Sequence, residues 1–150
     1  MRYFEDVRPG EIVSLGSVTV TEAEIIAYGQ RYDPQPFHVD PVAARDSVFG
    51  GLVASGWHTC ALMMRLTVEA SRRDTSVTLG SPGVDSCRWL RPVRPGDTLT
   101  GTSEVLETWT SRSKPMGFVR RRTELANQRG ELVLTLIGIM IYARRPEGAR

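Results

Sequence analysis

Cysteine is scarce in this chain. Cys60 and Cys87 are the only two in 150 residues, and they do not form a C-x-x-C pair. Two such residues make no disulfide framework, and a core of this size folds without disulfides or metal. Charge of one sign is also lacking: the formal net charge is +2, with no basic run interleaved with aromatics, which argues against a nucleic-acid partner. No apolar stretch reaches the ~18–20 residues of a membrane span, so no membrane association is expected. The first residues, Met-Arg-Tyr-Phe-Glu-Asp, lack the apolar segment of a secretory signal, and the expected compartment is the cytoplasm. What remains, 41% hydrophobic and 24% charged, is the composition of one ordinary domain spanning residues 1–150. Residues 144–150, with three arginines, a proline and a glycine, are expected to fray.

Against these absences one stretch stands out: Asp33-Pro34-Gln35-Pro36-Phe37-His38-Val39-Asp40. It carries a carboxylate and an imidazole five positions apart on a backbone stiffened by two prolines. Each proline fixes its own φ and pushes the preceding residue toward extended geometry. A fully extended run would separate Asp33 and His38 by roughly 17 Å, at ~3.3–3.6 Å per residue. A continuous helix would set them about 140° apart around its axis. For both to act on one molecule the segment has to be a bent, rigid loop, a typical place for acid–base chemistry. Asp40 has a structural reading instead: followed by Pro41, it fits an N-cap with proline at the first helical position. Taken singly, Asp33 also reads as a turn residue and His38 as a core histidine. The pair on one Pro-x-Pro arc is what points to function.

The flanking elements follow from local patterns. Val7-Arg-Pro-Gly-Glu11 and Val93-Arg-Pro-Gly-Asp97 each centre a turn on Pro-Gly ahead of a β-rich run. Thr21-Glu-Ala-Glu24 has the form of a capping box, predicting a helix over residues 22–31 with Ile25, Tyr28 and Tyr32 on one side. From Trp57 the chain reads Trp-His-Thr-Cys-Ala-Leu-Met-Met, apolar in every direction, which predicts a helix over 55–72 buried all round. Residues 84–90, 98–109, 117–126 and 131–143 predict strands, with a hairpin at Asn127-Gln-Arg-Gly130. The last strand is apolar on both alternating faces, so both should be covered: one by the helix, the other by a second subunit.

A long helix wrapped by antiparallel strands and preceded by an Asp/His loop resembles the hot-dog fold of the MaoC-like dehydratases, a family that includes the (R)-specific enoyl-CoA hydratases. The carrying motif, roughly Asp-x-Asn-Pro-aliphatic-His-x-Asp-Pro, stands here as Asp33-Pro-Gln-Pro-Phe-His38-Val-Asp-Pro41, followed by Gly56 at the start of the central helix. The resemblance implies an α+β hot-dog domain in a homodimer or higher homo-oligomer. It implies water addition to the double bond of a 2-enoyl-CoA, giving a 3-hydroxyacyl-CoA, in fatty acid metabolism and without metal or other cofactor. Asp33 and His38 would be the catalytic pair. A backbone N–H near Gly56 would receive the thioester oxygen, with Ser55, Trp57, Gln35 and Phe37 around the substrate. Two positions depart from the pattern: Gln35 replaces asparagine and Phe37 an aliphatic residue, which reshapes the pocket. Some members hold the aspartate with a serine on the central helix; counting from His38 reaches Met64, which has no hydroxyl, and Thr59 one turn earlier is the substitute.

The chemistry is consistent with these residues. Hydration needs a base for water, a proton for C2 and a stabiliser for enolate charge. Histidine, with a reference pKa near 6.5, suits the first task at neutral pH. The first N–H groups of a helix suit the last. Three alternatives stay open. His38, Asp40 and His58 are the residue types of a two-histidine, one-carboxylate metal site, although no spacing motif supports one. A hot-dog thioesterase and a non-catalytic acyl-CoA-binding subunit share the fold. Trp57, Met63, Met64 and Phe37 are candidates for an acyl pocket, and Arg88, Arg91 and Arg94 for coenzyme A phosphates; core and solvated strand edge are the plain readings of the two groups.

Overall fold

A computed structural model describes residues 1–146 and 148. Five strands, β1 (Ile12–Thr19), β2 (Thr78–Trp89), β3 (Thr98–Thr110), β4 (Met116–Ala126) and β5 (Leu132–Ala143), form one antiparallel sheet in the order β1-β3-β4-β5-β2. Three α-helices precede β2: α1 (Glu22–Tyr32), the single turn α2 (Pro36–Val39) and α3 (Gly56–Arg73). The sheet curls around α3. Leu62, Met63, Leu66 and Ala70 of the helix share one buried cluster with Leu15, Leu99, Leu125 and Leu134, which come from β1, β3, β4 and β5. This is the α+β hot-dog arrangement.

Local signals account for most boundaries. The Thr21 hydroxyl accepts from the Glu24 N–H at 3.2 Å while the Glu24 carboxylate accepts from the Thr21 N–H at 3.1 Å, so two orphan donors of α1 are satisfied reciprocally. Asp40 is the C-cap of α2 rather than the N-cap of a following α-helix, and its carboxylate accepts from the Val42 and Ala43 N–H groups at 2.8 and 3.1 Å. The next element is a short 3-10 turn, Ala43–Asp46, with Val42 at its N-cap. Strand β2 begins six residues earlier than the predicted 84, because Gly80 and Gly83, at φ +138° and +149°, carry the chain across two irregularities in its pairing with β5. Bulges of this kind belong on edge strands, and β2 is one.

Two expectations about burial are corrected. Helix α3 is not buried all round: Trp57, Ala61, Met64 and Val68, spaced 4, 3 and 4 residues apart, form an exposed stripe along it. The outer face of β5 is not bare either. Ile137, Ile139 and Ile141 pair in register with Arg122, Arg120 and Phe118 of β4, and those long neighbours leave the isoleucines half-buried. Exposed apolar side chains therefore gather along α3 and the free edge of β2, where Leu79, Val84 and Trp89 are exposed, while on β5 the exposed one is Leu132 at its start.

Arg144 and Arg145 do not fray: they pair with Glu5 and Asp6 at 2.9 and 2.7 Å. The rest of that expectation, at residues 147, 149 and 150, lies outside the described residues. Cys60 on α3 and Cys87 on β2 are free thiols with sulfurs 3.7 Å apart. Burial pushes the Cys60 thiol up to about 12. Among the described residues no helix is long and apolar enough to cross a membrane.

Candidate active site

The Pro-x-Pro arc is a one-turn helix rather than an irregular loop. Pro36 occupies its first turn and Gln35 its N-cap, where the missing proline N–H costs nothing. Asp33 is the C-cap of α1, its N–H bonded to the Gly29 carbonyl at 2.9 Å. The chain thus leaves one helix at Asp33 and enters the next at Pro36, and this sharp corner brings the carboxylate and the imidazole together. His38 Nε2 stands 3.3 Å from Asp33 Oδ2.

Each member of the pair is fixed from a second side. His38 is buried, and its Nδ1 lies 2.7 Å from the Val53 carbonyl oxygen. A carbonyl only accepts, so Nδ1 carries the proton in the neutral ring and the lone pair sits on Nε2, facing Asp33. The same two segments are tied again by the Val53 N–H donating to the Phe37 carbonyl at 3.0 Å. Asp33 accepts from the Ser55 hydroxyl at 2.7 Å and from the Gln35 amide at 2.8 Å. The Ser55 bond first, with help from Gln35 and the nearby His38 against the opposing effect of burial, holds the Asp33 carboxyl below its ordinary range.

This assigns the serine that counting from His38 misplaced. Met64 is exposed on the outer stripe, and Thr59 directs its hydroxyl to the Ser55 carbonyl, so neither touches Asp33. Ser55, expected beside the thioester oxygen, gives its hydroxyl to Asp33 instead and makes no side-chain cap on α3. Among the described residues the Gly56 and Trp57 N–H groups have no partner, and both residues line the cavity. Gly56 has a packing reason to be glycine: an added Cβ would fall 2.5 Å from the Trp89 indole, whose Nε1 donates to the Gly56 carbonyl at 2.8 Å. Trp57 stands edge-on to Trp89, with ring centroids 5.2 Å apart.

The pair opens into a cavity of about 410 Å³ also lined by Gln35, Phe37, Phe49, Thr59, Leu90 and Arg91. Phe37 packs edge-on against His38 and tilts against Phe49. Met63 and Met64, candidates for the acyl pocket, do not reach it. Of the three candidate arginines only Arg91 lines it; Arg94 donates to the Phe49 carbonyl at 2.6 Å, and Arg88, one position from the inward Trp89, belongs to the opposite face of β2. The metal alternative does not assemble: among the described residues no group of three His, Cys, Asp or Glu side chains converges. His58 stacks on Tyr28 at 4.7 Å, and burial holds its imidazole below the ordinary value despite Glu24.

Three positioning residues carried no recognisable signal in the sequence. Val53 holds the ring through its carbonyl, Trp89 lines the cavity and ties down the Gly56 carbonyl, and Gly29 permits the corner. A Cβ on Gly29 would lie 2.9 Å from a Val39 methyl and 3.0 Å from His38 Cβ and carbonyl oxygen, so α1 and α2 approach this closely only across glycine.

Comparison with known proteins bears on this arrangement. Residues 5–127 match the MaoC like domain family. The chain is 31% identical to Protein MaoC of Klebsiella aerogenes over 99 residues, 65% of this chain but only 29% of that protein's length. It is 30% identical over 110 residues to the (R)-specific enoyl-CoA hydratase of Rhodospirillum rubrum, covering 70% of each. It superposes on the crystal structure of the MaoC-like dehydratase from Rhodospirillum rubrum with TM-score 0.88 and 37% identity, over 97% of this chain and 99% of the other.

Proposed function

Because the chain belongs to the family of MaoC-like domains, within which hydratases are named, we propose that it adds water reversibly across the double bond of a 2-enoyl-CoA thioester. The observation that carries this reading is the His38 Nε2 lone pair set 3.3 Å from the Asp33 carboxylate at the wall of the cavity. A water on the cavity side of the pair, within hydrogen-bond reach of both, donates one hydrogen to each. A carboxylate held below its ordinary range is the poorer proton acceptor, so the imidazole takes the proton as the water oxygen bonds to C3. Asp33 stabilises the imidazolium, and the proton then passes to C2. The enolate charge that develops on the thioester oxygen falls to the unpaired Gly56 and Trp57 N–H groups, at the positive end of α3; a donor of this kind contributes about 10²–10³-fold to rate. Gln35 and Ser55 orient the carboxylate, and Phe37 and Trp57 wall the acyl group.

The active form in this reading is a homodimer joined through the β2 edge and the α3 stripe, since burying Trp57, Met64, Val84 and Leu79 returns ~25 cal/mol per Å². Light scattering at micromolar protein checks it: a monomeric mass with full activity contradicts it. The activity itself is tested with a panel of short, branched and dicarboxylic 2-enoyl-CoA thioesters. At least one should lose its enoyl absorbance, while saturated acyl-CoA releases no thiol. Thiol release with the enoyl absorbance intact would make the protein a thioesterase.

A further inference from the structure

The segment leading into α3 lays the site out in chain order. The Gly56 N–H, at the helix start, is where the thioester oxygen is received. Ser55, one residue back, donates to Asp33 at 2.7 Å, and the Val53 carbonyl, two further back, holds His38 Nδ1 at 2.7 Å. Residues 52–55 are neither helix nor turn, so these anchors are spread along the segment, at up to ~3.3–3.6 Å per residue. A 2-enoyl thioester that reaches all of them has a fixed sense. Its carbonyl carbon lies near Gly56 and C3 at the Asp33–His38 pair, and the acyl group from C4 onward heads past His38.

Two aromatic rings stand on that course. The Phe37 ring packs edge-on against the His38 ring with centroids 4.6 Å apart, the Phe49 ring tilts against Phe37 at 5.1 Å, and both line the cavity. Neither residue belongs to the α3 stripe or to the β2 edge. Both are half-buried and held by their backbones. The Phe37 carbonyl accepts from the Val53 N–H at 3.0 Å; the Phe49 N–H donates to the Ser47 hydroxyl at 3.2 Å, and its carbonyl accepts from Arg94 at 2.6 Å. Val93, also on the cavity wall, is tied through its carbonyl to the Ala54 N–H at 2.8 Å. We propose that Phe37 and Phe49 set the length of the acyl group, so that the substrate is a short-chain 2-enoyl thioester, crotonyl-CoA and its near homologues, with Phe49 as the stop. This rests on the hydratase reading and names the substrate class within it. A longer tail has to displace rings whose backbones are fixed, and close-packed groups resist such insertion.

Crotonyl-CoA and trans-2-decenoyl-CoA are the probes, offered to the whole protein and followed by loss of the enoyl absorbance. The parent should show a kcat/KM at least about tenfold higher for crotonyl-CoA, the scale on which an apolar pocket separates substrates by size. Phe49→Ala should lower that ratio at least about tenfold, chiefly by raising the decenoyl value. Phe49→Leu keeps an apolar side chain in the loop and should shift the ratio the same way by less, which decides the matter if the alanine variant fails to fold. A Phe49 that only supports the loop would, when replaced, lower both values alike and leave the ratio where it was; that result would overturn the proposal. A parent that hydrates decenoyl-CoA as well as crotonyl-CoA would overturn it too. Hydration of neither thioester by parent or variant would instead overturn the hydratase reading, and the proposal with it.

Discussion

The groove between α3 and the sheet has two ends that treat charge in opposite ways. At the end near the start of α3, Asp33 accepts bonds from Ser55 and Gln35 and faces His38, while His38 is pinned to the Val53 carbonyl. At the other, Arg121 has one weak neutral contact and an orphaned Nε. The first end is organised in advance: its groups hold their geometry and leave only the space for a water and a thioester. The second holds its charge with far fewer partners among the described residues. Between them the helix meets the sheet mainly through apolar side chains, with the Cys60 and Cys87 thiols 3.7 Å apart, so the two ends should respond to different substitutions.

The harshest way to break the comparison is to break the wall they share. Leu62 lies in the cluster that joins α3 to the sheet. Leu62→Asp buries an unpaired carboxylate at a cost comparable to the whole ~5–15 kcal/mol stability margin. It should abolish folding, and a soluble variant with a native-like melting curve would contradict the packing described.

A milder change touches only the organised end. Gly29→Ala puts a methyl against His38 and Val39, and because one of those contacts is backbone, α2 has to move. The expected cost is about 1–3 kcal/mol of stability, as in other overpacked sites. The rate should fall about tenfold to a hundredfold, the penalty of a misplaced catalytic group. Unchanged kinetics would mean that the corner tolerates displacement.

Ser55→Ala sharpens the comparison through pH. The Asp33 carboxyl is held low mainly by the Ser55 hydroxyl. A depressed folded-state value means that the stabilisation is present above the ordinary carboxylate range near 4 and is lost as pH falls through that range and below. Removing Ser55 lets the carboxyl rise toward its ordinary value. The variant should lose about 1 kcal/mol at neutral pH, the lower side of a bond to a charged group because the carboxylate is partly exposed. Its urea midpoint should then fall less steeply on acidification than that of the parent. Parallel curves would show that Ser55 does not set the Asp33 equilibrium.

The smallest effect belongs to Asp40, the other carboxylate of the arc. Asparagine caps about as well as aspartate, so Asp40→Asn should keep nearly all activity. Asp40→Ala should cost about 1 kcal/mol in a thermal melt, again without a specific loss of rate.

What could be read from the chain alone divides along the same lines. The capping box at Thr21, the Asp33–His38 pair and the long central helix are local patterns, legible because their causes lie within a few residues. Ser55 was missed as the partner of Asp33 because that bond spans 22 positions, and the close approach at Gly29 exists only once α1 and α2 have folded against each other. The exposed stripe of α3 escaped notice because Trp57, Met64 and Val68 are as apolar as the buried Leu62 and Met63; composition does not say which apolar face finds the sheet. Arg121 was hidden in a run of three arginines that looks solvated, although strand alternation turns its middle member inward.

The claim at the centre is that Asp33 and His38 act as one unit on water, and kinetics of enoyl-CoA hydration by His38→Gln, Asp33→Asn and the double variant test it most directly. General acid–base groups contribute about 10²–10⁴-fold, so each single change should lower kcat at least about a hundredfold with Tm nearly unchanged, and the double variant should be little worse than the worse single. If His38→Gln keeps most of its rate while Asp40→Asn is inactive, the account has chosen the wrong carboxylate and the wrong chemistry.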